Sequence, residues 1–241
     1  MHSPLLGEFL GTMILILLGD GVVAAVVLKH SKAHDSGWMV ITAGWAFAVM
    51  AGVFTAMACG GEGHLNPAVT LGLAVRAGNY SKVIPYSFVQ LLGAMVGAAL
   101  VWLQYLLHWR ETENPAAKLA CFCTHPAIRS LFPNLLSELI ATFVLVLVAG
   151  AIGSQHVFAN GPAPGVGIAL VASLVWGIGL SLGGSTGYAI NPARDFGPRL
   201  AHAILPIAGK GSSDFAYAPV PIVGPLLGGA LAGLALRLLQ I

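Results

Sequence analysis

Six stretches of this chain, near residues 5–28, 37–58, 84–107, 135–153, 164–184 and 216–239, are apolar over the length a helix needs to cross a bilayer. Roughly 20 residues at 1.5 Å each span about 30 Å of hydrocarbon. In that solvent every backbone N–H and C=O must be paired internally, so each stretch is predicted to be a helix. Composition agrees: 57% of residues are hydrophobic and 8% charged, against about 25% charged in soluble domains. The chain reads as an all-α, multi-pass membrane protein. Its first apolar segment is of full length and begins almost without basic residues, so it is expected to persist as a helix and not to be cleaved as a signal. The connections are too short for a soluble domain, and residues 1–241 are expected to form one domain.

Eleven Lys and Arg and nine Asp and Glu give a net charge of +2. They are scattered, so no basic patch points to DNA or RNA as a partner. Cys59, Cys121 and Cys123 are too few for a disulfide framework. The run Cys121-Phe122-Cys123-Thr124-His125 superficially resembles a metal cluster, but it lacks a fourth ligand and the usual zinc spacing, so neither a metal nor a cofactor is expected. The 31 glycines suit helices that approach closely in lipid.

Two further apolar segments are too short to span, and each opens with the same tripeptide: Asn66-Pro67-Ala68 and Asn191-Pro192-Ala193. The surroundings repeat as well. Glu8-Phe9-Leu10-Gly11-Thr12 answers Glu138-Leu139-Ile140-Ala141-Thr142, and Leu91-Leu92-Gly93 answers Leu226-Leu227-Gly228. The repeats are expected at about 1–108 and 134–241, joined by a loop at 109–133. With three spans each, an odd number, the second copy enters the membrane from the opposite face.

Asn is a favoured N-cap and Pro is pre-set for the first helical position, so each tripeptide starts a helix. From Asn66 to Val75 that helix measures roughly 15 Å, half the hydrocarbon, so two such halves can meet at the midplane. Their unpaired N–H groups must then line a polar cavity or be buried in protein. If each Asn oxygen caps its own helix, its amide NH2 is left to donate into the lumen, where both helix dipoles also place partial positive charge.

These residues, with Gly63-His64-Leu65 and Thr186-Gly187-Tyr188-Ala189-Ile190 before the tripeptides, resemble the major intrinsic protein family of aquaporins and glycerol facilitators over nearly the whole chain. The resemblance implies six membrane helices, two re-entrant half-helices and a constriction lined by four positions. Arg194 matches the pore arginine, whose planar fork can donate to two neighbouring oxygens. Tyr188 stands where glycerol channels usually have Phe, and its added hydroxyl either points away or narrows the passage. Gly179 falls where water-selective members have His; it leaves volume for a three-carbon polyol or serves helix packing with Gly183. Trp45 matches the remaining aromatic, with Ala46 or Phe47 as alternatives because the following loop is one residue longer. Asp195 completes Asn-Pro-Ala-Arg-Asp, a run resembling the glycerol-conducting branch, and is expected to brace a loop.

Glu8 and Glu138 are acids within spans, where charge is costly and marks function or firm pairing. The family implies that they brace the half-helix loops; a proton relay is the other reading. Asp20 has no counterpart in the second repeat and is expected at a solvated helix end. His64 either lines the pore in its loop or packs within the fold. The charge count sets Arg76, Lys82 and Arg237 on the side of both termini against Lys29, Lys32, Arg110, Lys118, Arg129 and Lys210 on the other, which alone favours termini outside. The resemblance implies cytoplasmic termini, and it outweighs the count because long loops contribute little to orientation.

The expectation is a passive channel in the plasma or bacterial inner membrane for glycerol and other small uncharged solutes, with water. It would exclude ions and protons and assemble as a homotetramer. A mainly water-selective aquaporin and a channel for neutral metalloid acids are the alternatives of the same class. An ion-coupled secondary transporter, with Asp20 or Glu8 as coupling acid, is the alternative of another. No nucleophile, base and orienting group are grouped, so an enzyme is not expected.

Overall fold

The computed structural model describes residues 2–163 and 165–241, and among them the ordered elements are ten helices. Six are long: α1 (Pro4–Val27), α2 (Trp38–Ala58), α4 (Val83–Gln104), α7 (Leu131–Ile152), α8 (Val166–Leu182) and α10 (Pro219–Leu239). Two half-length helices, α3 (Pro67–Ala77) and α9 (Pro192–Ile204), begin directly after the two asparagines. Two short ones, α5 (His108–Glu111) and α6 (Pro115–Ala120), lie in the connection between repeats. Six spans with two re-entrant halves, the fold expected from the sequence, is the fold observed.

The fifth span is shorter than the 164–184 expected from hydropathy. Residue 164 lies outside the described residues, and α8 covers 17 residues, about 25 Å at the helical rise. Gly165 at φ 81° precedes it. The consecutive Gly183 and Gly184 end it, because glycine loses the most backbone freedom in a helix.

Packing repeats between the halves. Helix α1 lies on α2 and α4 as α7 lies on α8 and α10, while α2 and α8 meet across the centre. Half-helix α3 docks on α10, and α9 docks on α4. Each half-helix is therefore held by a long helix of the other repeat, as a two-fold axis in the membrane plane requires. Glycines permit this closeness. A Cβ on Gly93 would lie 2.3 Å from the Phe9 carbonyl oxygen, and one on Gly228 2.3 Å from that of Leu139. Large apolar side chains such as Phe47, Phe88 and Leu238 face outward, as lipid contact demands.

Candidate functional site

Both asparagines cap their own helices. Asn66 Oδ1 accepts from the Ala68 N–H at 2.9 Å, and Asn191 Oδ1 accepts from Ala193 and Arg194 at 3.0 and 3.2 Å. The amide groups are not left wholly free for the lumen, which corrects the expectation. Asn66 Nδ2 donates to the Ile190 carbonyl, and Asn191 Nδ2 to the Leu65 carbonyl, both at 2.8 Å. One hydrogen of each NH2 thus ties the two repeats together and one remains. The reason is geometric: meeting half-helices bring each cap against the carbonyl that precedes the other.

Leu65 and Ile190, the residues before the asparagines, sit at φ 51° and 46°, a left-handed conformation that is costly for bulky side chains. Two buried carboxylates hold it. Glu8 accepts from the N–H groups of His64 and Leu65 at 2.9 and 2.8 Å, and from Gln90 Nε2 at 2.9 Å. Glu138 accepts from Ala189 and Ile190 at 3.0 and 2.8 Å, and from the Thr186 hydroxyl at 2.6 Å. Both oxygens of each acid are committed to the loops. Gln90 and Thr186 are supporting residues that sequence reading missed, although Thr186 lay inside a recognised motif.

Between these loops runs a cavity of about 510 Å³. Helices α1, α2, α7 and α8 give it aliphatic side chains, among them Leu15, Val49, Leu145 and Val175. The loops and half-helices add His64, Asn66, Asn191 and Arg194. Trp45 and Met57 both line it, so it extends roughly 18 Å along α2. His64 lies at the wall with Nδ1 3.2 Å from the Thr70 hydroxyl and Nε2 3.3 Å from Glu62, so it both lines and packs.

Trp45, Tyr188 and Arg194 all line this cavity. The Arg194 guanidinium carbon lies 3.9 Å from the centre of the Trp45 ring, an arrangement in which cation and π-face attract. Phe47 is 60% exposed on the outer surface and Ala46 does not line the cavity, so Trp45 is the aromatic present. Gly179 does not line the cavity either, and the volume it leaves is not open to solute. A Cβ there would lie 2.8 Å from Tyr188 Cζ and 2.9 Å from its Oη, and one on Gly183 would lie 2.5 Å from Tyr188 Cδ1. The two glycines form a slot for the tyrosine ring, and the hydroxyl points into that slot. Trp38, another residue the sequence did not flag, completes the seat. Its ring packs edge-on against Tyr188 at 5.8 Å, and its Nε1 donates to the Gly179 carbonyl at 3.0 Å.

Residues 2–236 match the major intrinsic protein family. The chain belongs to that family. As a major intrinsic protein it is 60% identical over 230 residues to a probable glycerol uptake facilitator protein of Thermotoga maritima, covering 95% of this chain and 96% of that one. It is 55% identical to glycerol uptake facilitator protein 3 of Lactiplantibacillus plantarum, covering 98% and 96%. Its fold is similar to the crystal structure of the aquaglyceroporin from Plasmodium falciparum, with a TM-score of 0.84, 29% identity, and coverage of 97% and 94%. It is a multi-pass membrane protein of the cell membrane.

Two further acids that the sequence singled out, Asp195 and Asp20, are both buried in this major intrinsic protein. Asp195 is fully buried; its Oδ2 accepts from the Thr124 N–H and hydroxyl at 2.8 and 2.7 Å, and its Oδ1 pairs with Arg199 at 2.8 Å. Arg199 passes the tie outward by donating to the carbonyls of Ser213 and Asp214 at 2.9 Å. On that outer loop, hydrogen bonds from Arg129 hold the Asp214 carboxyl below the usual carboxylate range. Asp20 is not at a solvated end. It is 0% exposed, two turns inside the end of α1, with Oδ1 3.4 Å from Arg194 Nη1. Gly19 and Gly21 flank it, yet the helix continues through both. Cys121 and Cys123 are free and buried, and burial pushes both thiols well above their usual range.

Proposed function

We propose that this chain is a passive channel for glycerol and similar small uncharged solutes, with water, and that it excludes ions and protons. The observation that carries the reading is the cavity wall where a guanidinium fork is laid on the Trp45 ring, with Tyr188 lining the same cavity. A polyol has a carbon edge and a hydroxyl edge. Aromatic rings suit the first and the Arg194 donors the second. The relatives' names as glycerol uptake facilitators support the same reading.

In it, Trp45, Tyr188 and Arg194 form the filter, and Gly179 contributes by admitting the tyrosine ring. Asn66 and Asn191 offer their remaining N–H groups to solute. Pro67, Ala68, Pro192 and Ala193 shape the two helix starts. Glu8, Glu138 and His64 brace the loops, and Asp195 braces the outer connection. Residues 1–241 act as one channel domain with repeats at about 1–108 and 134–241, both termini in the cytoplasm, assembled as a homotetramer of separate pores. The protein carries out no chemical reaction.

The test is stopped-flow light scattering on proteoliposomes challenged with water and glycerol. Glycerol permeability well above that of empty vesicles, rising linearly with concentration, is expected. Background glycerol flux beside rapid water flux would leave a water channel, and saturation or a requirement for an ion gradient would make it a transporter.

A further inference from the structure

We propose that Asp20 is a positioning residue that sets glycerol selectivity by holding Arg194 back against Trp45. The inference rests on the glycerol-channel reading and extends it to a helix whose own side chain at this level does not touch the passage.

Asp20 differs from the other acids inside the membrane. Glu8 and Glu138 each commit both oxygens to loop N–H groups. Asp20 braces no backbone: among the described residues Arg194 is its one partner, and Oδ2 makes no hydrogen bond. Removing one member of a buried ion pair leaves the other charge uncompensated, so a lone carboxylate here stands or falls with the arginine.

The symmetry of the repeats gives a second, independent argument. Glu8 answers Glu138, so in the same register Asp20 answers Gly150; Asn66 answers Asn191, so Arg194 answers Val69. The second half has no acid where the first half has Asp20, and the first half has no arginine where the second has Arg194. The two halves depart from symmetry at two positions that touch each other.

The preceding residue completes the device. A Cβ on Gly19 would lie 2.2–2.4 Å from three carbons of the Trp45 ring. Neighbouring residues of α1 therefore seat both walls of the constriction: Gly19 lets the indole in, and Asp20 draws the guanidinium alongside it. Without the carboxylate, the Arg194 fork loses its anchor on the α1 side and extends into the passage. A three-carbon solute is then hindered more than water, and the uncompensated charge binds hydroxyls more tightly.

The experiment is a double-mutant cycle of Asp20→Asn, Arg194→Val and the pair, each purified, reconstituted and normalised to protein per vesicle. Asp20→Asn is near-isosteric; it removes the charge and exchanges one carboxylate oxygen for an NH2 donor. With Arg194 present it should lower the glycerol-to-water permeability ratio by at least roughly threefold, and in the Arg194→Val background it should leave the ratio unchanged, because contacting residues are non-additive. An unchanged ratio with Arg194 present, or the same factor in both backgrounds, overturns the proposal. The midpoint of thermal unfolding in detergent supplies a second cycle that needs no transport: Asp20→Asn should destabilise only where Arg194 is present, and equal destabilisation in both backgrounds would again overturn it. Failure of the channel reading shows separately, as wild-type vesicles that pass no glycerol.

Discussion

At the residue scale the constriction is shaped by what glycine admits. Tyr188 occupies the slot made by Gly179 and Gly183, with its Oη 2.9 Å from where a Gly179 Cβ would stand. Gly179→His must expel that ring before the imidazole can fit, so the passage loses an aromatic wall and gains a polar group beside Arg194. Glycerol permeability should fall relative to water by roughly tenfold, about 1.4 kcal/mol of barrier, in protein that is folded and reconstituted. Stopped-flow ratios check it, and a ratio equal to wild type would remove the slot from the account of selectivity. The family resemblance pointed to Gly179, Tyr188, Trp45 and Arg194, with Ala46 and Phe47 as alternatives to Trp45, because the motifs that carry it are local runs of sequence. It could not reveal that the glycine acts through the tyrosine, or that Asp20 reaches Arg194 across 174 positions of chain. Contacts between distant segments leave no mark in local spacing.

At the element scale the half-helices were legible because capping is local chemistry: Asn at N-cap and Pro at N1 announce a start whatever lies around them. Charge counting was less informative, since several charges opposite the termini have internal partners. Lys210 donates to the carbonyls of His202, Ala203 and Leu205 at 2.6–2.8 Å, Lys118 is 2% exposed and donates to the Ala208 carbonyl, and Arg129 pairs with Asp214. Such residues report local satisfaction instead of membrane orientation. The matched Leu-Leu-Gly runs acquire their meaning in the packing of α4 on α1 and α10 on α7. Gly93→Ala and Gly228→Ala each drive a methyl to 2.3 Å from a backbone oxygen, so helices must separate, at a cost of about 1–3 kcal/mol apiece. Gly177→Ala in α8 meets nothing within 4 Å and gains up to about 1 kcal/mol of helix propensity. Thermal unfolding in detergent should therefore rank the first two below wild type and the third at or above it; an equal drop in all three would mean that close approach of backbones is not what the glycines provide.

At the scale of the whole molecule, two inverted repeats bring the N-termini of α3 and α9 together inside a cavity with an apolar wall. Both ends carry partial positive charge, and Arg194 lines the same cavity. A cation entering there must leave its water, an idealised cost on the order of 20 kcal/mol, and would need carboxylates to replace it. The membrane-buried acids are already engaged: Glu8 and Glu138 with loop amides, Asp195 with Thr124 and Arg199, Asp20 with Arg194. Glu62, which also lines the cavity, is partnered by Lys82 and His64. On the proposed reading a neutral polyol would meet none of this opposition, because it would exchange its water for the Arg194 and asparagine donors while its carbons met aromatic and aliphatic walls. Vesicles that pass glycerol should accordingly hold a proton or sodium gradient as long as empty ones, and planar bilayers should carry no current that grows with protein. A current that scales with protein and reverses at the sodium or proton equilibrium potential would show that some acid in this inventory is free to bind a cation, and the pairing described for the buried carboxylates would then be incomplete.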